Sequence, residues 1–273
     1  MKVLIAADME GISGVVHWDQ VDYKQDDYKR FRKIMTAEVN AAVRGAFDGG
    51  AEEVLVTDGH GRGRNILIEE LDRRARLNSG GPAPFAMVQG VNQGMDAAMF
   101  IGYHARAGTN NAILDHTWTG TVVNVWLNGQ PIGETGLNAA VCGHFDVPVL
   151  LVSGDQSLCA EAADLLGPIE TVAVKQARGR MAAECLSPAE AQERIYRAAQ
   201  RAVRRFLVGD APAPFRPSTP ITLVVEWSQS QMADRAAVLP GARRLEGRRV
   251  EFTAADAPEA YRAFRALVTL AGS

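Results

Sequence analysis

Six side chains suited to metal binding or proton transfer punctuate the first half of the sequence: Asp8, Glu10, His60, His104, His116 and Glu134. Asp8 and Glu10 follow the apolar run Lys2-Val3-Leu4-Ile5-Ala6-Ala7, and residues two apart in an extended chain project to the same side. Two carboxylates that close repel each other unless a cation, a base or a shared proton lies between them. A lone Asp-x-Glu reads better as a solvated turn, but two further apolar runs end in histidine. Glu53-Val54-Leu55-Val56-Thr57 leads into Asp58-Gly59-His60-Gly61, and Ala97-Ala98-Met99-Phe100-Ile101-Gly102-Tyr103 delivers His104. Singly, either histidine fits an ordinary turn or a core-edge residue. Jointly, with the carboxylates, they point to a metal site at the carboxyl edge of one sheet, where ligands bind in open parallel sheets.

Charge counting bears on the number of ions. Asp8, Glu10 and Glu134 bring three negative charges. Two divalent cations plus one bridging hydroxide neutralise them, whereas a single divalent ion leaves an excess negative charge poorly suited to polarising a carbonyl. Mixed imidazole and carboxylate ligation suits zinc, with manganese or cobalt as alternatives, and two ions about 3.5–4 Å apart acidify a shared water. His116, near Arg106 and Asp115, reads as a general acid–base group as readily as a surface-loop imidazole. His17 and His144 read as structural, the latter near a helix end where an imidazole satisfies free carbonyls. Gly11 and Gly14 allow a tight turn or close backbone approach, without the spacing of a dinucleotide-binding loop.

The elements that must position these groups follow from periodicity. Apolar residues at three- and four-residue spacings predict a helix over 27–47, capped by Asp26 or Asp27 and ended by Gly49-Gly50. Strand, long helix and strand make a parallel crossover. A short helix is expected near Ile66–Leu71, a strand over 97–103, an alternating segment over 117–125 and a turn at Asn128-Gly129. Helices are expected over 134–145, 156–166 and 187–207, and strands over 148–154 and 171–174. Asp210-Ala211-Pro212-Ala213-Pro214 marks a candidate boundary. Beyond it come strands at 221–227 and 249–253, each followed by helical stretches. The expectation is an α/β fold: a mainly parallel sheet core flanked by helices over 1–211, with a smaller α+β region over 212–273.

Composition narrows the class of function. The 273-residue chain is 47% hydrophobic and 22% charged, with a net charge of −3. This offers no basic face for nucleic acid and no polybasic membrane anchor. No apolar run approaches the roughly 20 residues needed to span a bilayer, and no signal peptide is evident. Three widely spaced cysteines, Cys142, Cys159 and Cys185, fit reduced, buried thiols of a cytoplasmic protein.

These residues also carry a family resemblance. Asp8-Met9-Glu10-Gly11-Ile12-Ser13-Gly14, Thr57-Asp58-Gly59-His60, Gly102-Tyr103-His104-Ala105-Arg106 and Gly133-Glu134-Thr135-Gly136-Leu137-Asn138 resemble motifs of the binuclear zinc D-aminopeptidase family. Val174-Lys175-Gln176 and Leu186-Ser187-Pro188 are similar to it as well. The resemblance implies a zinc-dependent aminopeptidase that releases N-terminal residues, D-Ala among them, from short peptides. It implies two zinc ions held by Asp8, Glu10, His60, His104 and Glu134, a catalytic role for His116, and a homodecamer of two stacked five-membered rings. The competing readings are another two-metal hydrolase (a phosphoesterase using Arg62, Arg64 or Arg106, or an amidohydrolase) and a non-catalytic metal-binding assembly protein.

Overall fold

The opening run forms strand β1 (Lys2–Ala7), and its alternation divides its side chains between two apolar layers. Val3, Ile5 and Ala7 face one, Leu4 and Ala6 the other, and all are fully buried. Burial on both faces is the mark of a parallel strand covered on both sides by helices. The structure, a computed structural model, describes residues 1–272. After β1 come α1 (Asp27–Gly49), β2 (Glu53–Asp58), β3 (Arg76–Asn78), β4 (Ala97–Ile101), β5 (Val122–Leu127) and β6 (Gln130–Pro131). Next are α2 (Glu134–His144), β7 (Val149–Asp155), α3 (Gln156–Leu166), β8 (Glu170–Gly179), β9 (Ala182–Cys185) and α4 (Pro188–Leu207). The chain finishes with β10 (Ile221–Trp227), α5 (Ser230–Ala236), β11 (Ala242–Arg244), β12 (Arg249–Ala254) and α6 (Ala257–Ala271).

Seven strands form the main sheet in the order β3-β2-β1-β4-β7-β8-β9, parallel except for β9 at one edge. Residues of α1 and α4 fill the apolar layer on one face; α2, α3 and α6 contribute to the layer on the other. The second sheet, β11-β12-β10-β5-β6, is antiparallel. Its β5 and β6 meet at Asn128-Gly129, whose φ angles of 50° and 80° make the two-residue hairpin turn that Asn-Gly signals. The fold is thus mixed α/β with a mostly parallel sheet, as expected. No helix among the described residues is long and apolar enough to cross a membrane.

Several local expectations are corrected. Residues 66–71 form turns rather than a helix. Thr36 and Asn40 of α1 bond the backbone of Leu67, Glu70 and Asp72, supplying an alternative to a helical ladder. The strand expected over 171–174 extends to Glu170–Gly179, because β9 pairs with its second half. Within 117–125 the strand begins only at Val122. Asp26 starts α1 without a side-chain cap; its carboxylate pairs with Lys29 instead. His144 is exposed and packs edge-on against Phe145 rather than onto helix-end carbonyls. Cys142 and Cys159 are buried, but Cys185 is exposed on edge strand β9.

The order β2-β1-β4 places the carboxyl ends of these three neighbouring strands side by side. That arrangement sets up the site.

Candidate metal centre

Asp8 and Glu10 do not lie in β1 itself, which stops at Ala7; they sit in the tight turn that follows. Asp8 N–H still bonds to Ile101 O (2.8 Å) and Gly11 N–H to Gly102 O (2.8 Å), so the turn is stitched to the end of β4. Gly11 is required there: a Cβ on it would lie 1.8 Å from Tyr103 O. Gly102, with φ of 75°, adopts a backbone that favours glycine and turns the chain from β4 toward His104. Glu134 opens α2, where the positive end of the helix dipole favours a carboxylate.

The six side chains named from the sequence converge. His60 Nδ1 lies 3.3 Å from Asp8 Oδ1 and 3.0 Å from Glu10 Oε2. His104 Nε2 lies 3.4 Å from Asp8 Oδ2 and 3.2 Å from Glu134 Oε1. His116 Nε2 stands 3.9 Å from both Glu10 Oε1 and Glu134 Oε1, and its ring stacks on that of His104 at 3.8 Å. Asp8, Glu10 and His104 form one compact trio of donors; His104, His116 and Glu134 form another. All but His60 are buried, and His60 nearly so. Arg106 does not join them: it lines a separate cavity with Glu161.

Each imidazole is anchored through its other nitrogen. His60 Nε2 donates to Val21 O (2.9 Å), His104 Nδ1 to Ala105 O (3.1 Å) and His116 Nδ1 to Leu114 O (2.8 Å). Those carbonyls orient the rings so that the remaining nitrogen of each faces the carboxylates, the nitrogen that a histidine would offer a metal once deprotonated. Glu10 Oε2 and His104 Nε2 are buried without a hydrogen-bond partner. They lie close to opposite-type atoms yet misaligned for hydrogen bonding, which suits donors sharing a cation. The donor set of three carboxylates and two or three imidazoles therefore fits zinc.

The electrostatics express the same crowding. Burial and the neighbouring Glu10 carboxylate push Asp8 up to about 7. Burial would raise Glu10 too, but His60, His116 and His104 together hold it well below the usual carboxylate range. Burial disfavours a charged His104, yet Glu134, Asp8 and Glu10 outweigh it and lift that imidazole to about 10. His116 behaves oppositely: burial and the adjacent His104 lower it, leaving it the neutral ring of the stacked pair.

Three supporting groups have no role assigned from the sequence, although Asp58 and Lys175 stand in motifs that carry the resemblance. Asp58 accepts from Asn65 N–H (2.5 Å), Asn65 Nδ2 (2.6 Å) and Ile66 N–H (2.8 Å), closing the loop that carries His60. Asp155 accepts from Ile113 N–H (2.6 Å) and caps α3 through Leu158 N–H, tethering the His116 loop. Lys175, buried in β8, spends its ammonium on Glu10 O (2.5 Å), Ile12 O (3.1 Å) and Val15 O (2.7 Å). A lysine inside an apolar strand was the available signal.

Glu38 of α1 lies beneath the same loop, accepting from Ser13 N–H (2.9 Å). Burial pushes its carboxyl up to about 7 despite that bond and nearby Lys175. An unfolded glutamate titrates near about 4.3, so between these values the folded chain holds a proton that the unfolded chain has lost. Stability from this group is therefore lost as pH rises through that window. Glu38→Gln keeps the acceptor and should lose less stability than wild type between about pH 5 and about pH 8. Urea unfolding at the two pH values checks this; parallel losses would refute it.

Comparison with known proteins decides the family. A family model described as D-aminopeptidase matches residues 1–266. The chain belongs to the D-aminopeptidase family. It is 39% identical over 272 residues to the D-aminopeptidase of Bacillus subtilis (strain 168), covering 99% of this chain and 98% of that one. Its structure is similar to that of the Zn-dependent D-aminopeptidase DppA from Bacillus subtilis, described as a self-compartmentalizing protease. The TM-score is 0.96 at 38% identity, with 100% of this chain and 98% of the other covered.

Proposed function

We propose that this member of the D-aminopeptidase family is a zinc-dependent aminopeptidase, cleaving the N-terminal peptide bond of short peptides that begin with D-residues such as D-Ala. In this reading Asp8, Glu10, His60, His104 and Glu134 hold two zinc ions. The observation that carries it is the set of carbonyl-anchored imidazoles facing three buried carboxylates, in a chain whose relative is named Zn-dependent. Bound zinc supplies Lewis acidity, making an attacking water more acidic and drawing electron density from a carbonyl.

The chain's own residues do the rest. His116, neutral and held by Leu114 O, keeps its Nε2 free to take a proton from the water and return it to the leaving amine. Trp118 N–H bonds Glu134 Oε1 at 2.7 Å and fixes the carboxylate's orientation. The cavity at the cluster, about 170 Å³ and bounded by Met87 and Trp118, favours a small first residue.

We further propose that the chain works in the cytoplasm as a decamer of two five-membered rings. The relative's description as self-compartmentalizing supports an enclosed assembly. Of the arginines a phosphoesterase could use, Arg106 lies away from the cluster while Arg62 and Arg64 line the adjoining cavity, and an assay on p-nitrophenyl phosphate separates that reading.

Protein stripped with a chelator should lose all hydrolysis of D-alanyl p-nitroanilide and regain it with added zinc. p-Nitrophenyl phosphate should remain intact throughout, and sedimentation should report ten times the 29.4 kDa chain mass. Full peptidase activity in the stripped protein would sink the catalytic proposal, and a monomer would sink the assembly.

A further inference from the structure

We propose that Arg265, flanked by Arg62 and Arg64, forms a subsite for the C-terminal carboxylate of a short peptide whose first residue occupies the metal centre. This rests on the aminopeptidase reading and adds what sets substrate length. A cavity of about 700 Å³ opens beside the cluster, walled by these three arginines and by the backbone of Gly80 and Gly81. It shares Gly59, Gly61 and Trp118 with the smaller cavity at Asp8, Glu10 and Glu134. The two are adjoining compartments of one cleft.

Trp118 is the partition between them. Its φ of 67° is a genuine outlier for a bulky residue and calls for a functional reason. That backbone turn points its N–H at Glu134 Oε1 while its ring lies 6.0 Å from the Arg265 guanidinium carbon. A single tryptophan therefore links the candidate metal ligand to the arginine.

Arg265 is built in rather than loose. Its Nη1 donates to Ala83 O (2.7 Å) and Pro84 O (2.9 Å), and its guanidinium also approaches the Tyr261 ring. Those bonds use Nη1 and leave Nε and Nη2, one edge of the fork that grips a carboxylate in two parallel bonds. Among the described residues, no ion pair involves Arg62, Arg64 or Arg265. The one acidic residue in the wall, Asp58, is already saturated by Asn65 and Ile66. Three arginines against one carboxylate leave this wall net positive in a chain of net charge −3, which focuses a field for an anion.

The anion expected there is fixed by the reaction. A short peptide bound by its amino end carries its only obligatory negative charge at the other end, at most about 3.3–3.6 Å further along per additional residue. A cleft of this size holds a few small residues, and a longer peptide would carry its carboxylate past the arginines. Length selectivity then comes from charge recognition within one chain.

The test compares D-alanyl-D-alanine with its C-terminal amide, using zinc-loaded wild type and Arg265→Gln. In wild type, kcat/KM for the acid should exceed that for the amide at least about tenfold, carried by KM with kcat within about threefold. In Arg265→Gln the KM for the acid should rise about tenfold and the acid-to-amide ratio should approach one. Arg265→Lys should recover part of it, because an ammonium lacks the fork. If Arg265→Gln is unfolded by circular dichroism, the doubly substituted Arg62→Gln/Arg64→Gln protein provides the same comparison. Equal handling of acid and amide by wild type, or a ratio unaltered in the variants, would overturn the proposal. Absence of any turnover by zinc-loaded wild type, p-nitroanilide included, would instead refute the aminopeptidase reading. Calorimetric binding of acid and amide would then decide the subsite, equal affinities overturning it and tighter binding of the acid supporting it.

Discussion

Glu10→Ala should strip the protein of bound zinc and lower peptide turnover by roughly a thousandfold or more, well beyond the 10–100-fold typical of losing an outer-shell partner. Glu10 is buried in the turn after β1, and its two oxygens address different histidines. Oε2 lies 3.0 Å from His60 Nδ1 and Oε1 lies 3.9 Å from His116 Nε2. No neighbouring acid can replace it, since Asp8 and Glu134 already face His104. His104→Ala should behave in the same way, because that ring meets both Asp8 and Glu134. Elemental analysis of the purified variants, read beside kcat/KM on D-alanyl p-nitroanilide, checks the expectation. A variant with full metal content and near-normal turnover would remove Glu10 from the proposed ligand set.

Gly11→Ala should be among the most damaging single-methyl additions in the molecule, destabilising the fold by about 3 kcal/mol or more. The added carbon would lie 1.8 Å from Tyr103 O and 2.5 Å from Gly102 C. These are main-chain atoms, and they have little freedom to retreat. Gly11 N–H is bonded to Gly102 O, and Tyr103 N–H to Ser153 O of β7. Relief therefore requires parting the turn from the ends of β4 and β7, which moves Glu10 and His104 with it. Urea unfolding should show the loss of stability, and the surviving folded protein should bind less zinc. A midpoint matching wild type would show that the turn can yield and that the close approach is not needed.

Much of the site could be read from the chain because its parts lie where strands end. Apolar runs announce β1, β2 and β4, and the residues just past them are Asp8 and Glu10, His60 and His104. Once the strands are parallel neighbours, those positions meet. Glu134 was legible for a different reason, as the first residue of a helix with clear periodicity. Less visible was everything whose meaning depends on a distant partner. Lys175 gains its role from carbonyls more than 150 positions earlier. Pairing of Leu223 with Leu127 joins the C-terminal strands to β5, and no local pattern encodes it. Strands β3, β9 and β11 run for three or four residues, too short for alternation to register. The helix expected at 66–71 does not form: Ile68 is exposed, and the segment's backbone bonds Thr36 and Asn40 of α1 instead. The left-handed backbone at Trp118 and the gathering of Arg62, Arg64 and Arg265 around one cleft follow only from three-dimensional placement.

The uneven fate of the three thiols has a practical outcome. Cys142 and Cys159 are sealed inside, and burial raises both, Cys159 to about 12, so neither supplies much thiolate near neutrality. Cys185 alone meets solvent in the isolated chain, which gives each copy one natural attachment point for a maleimide dye or a spin label, with no engineering of the native sequence.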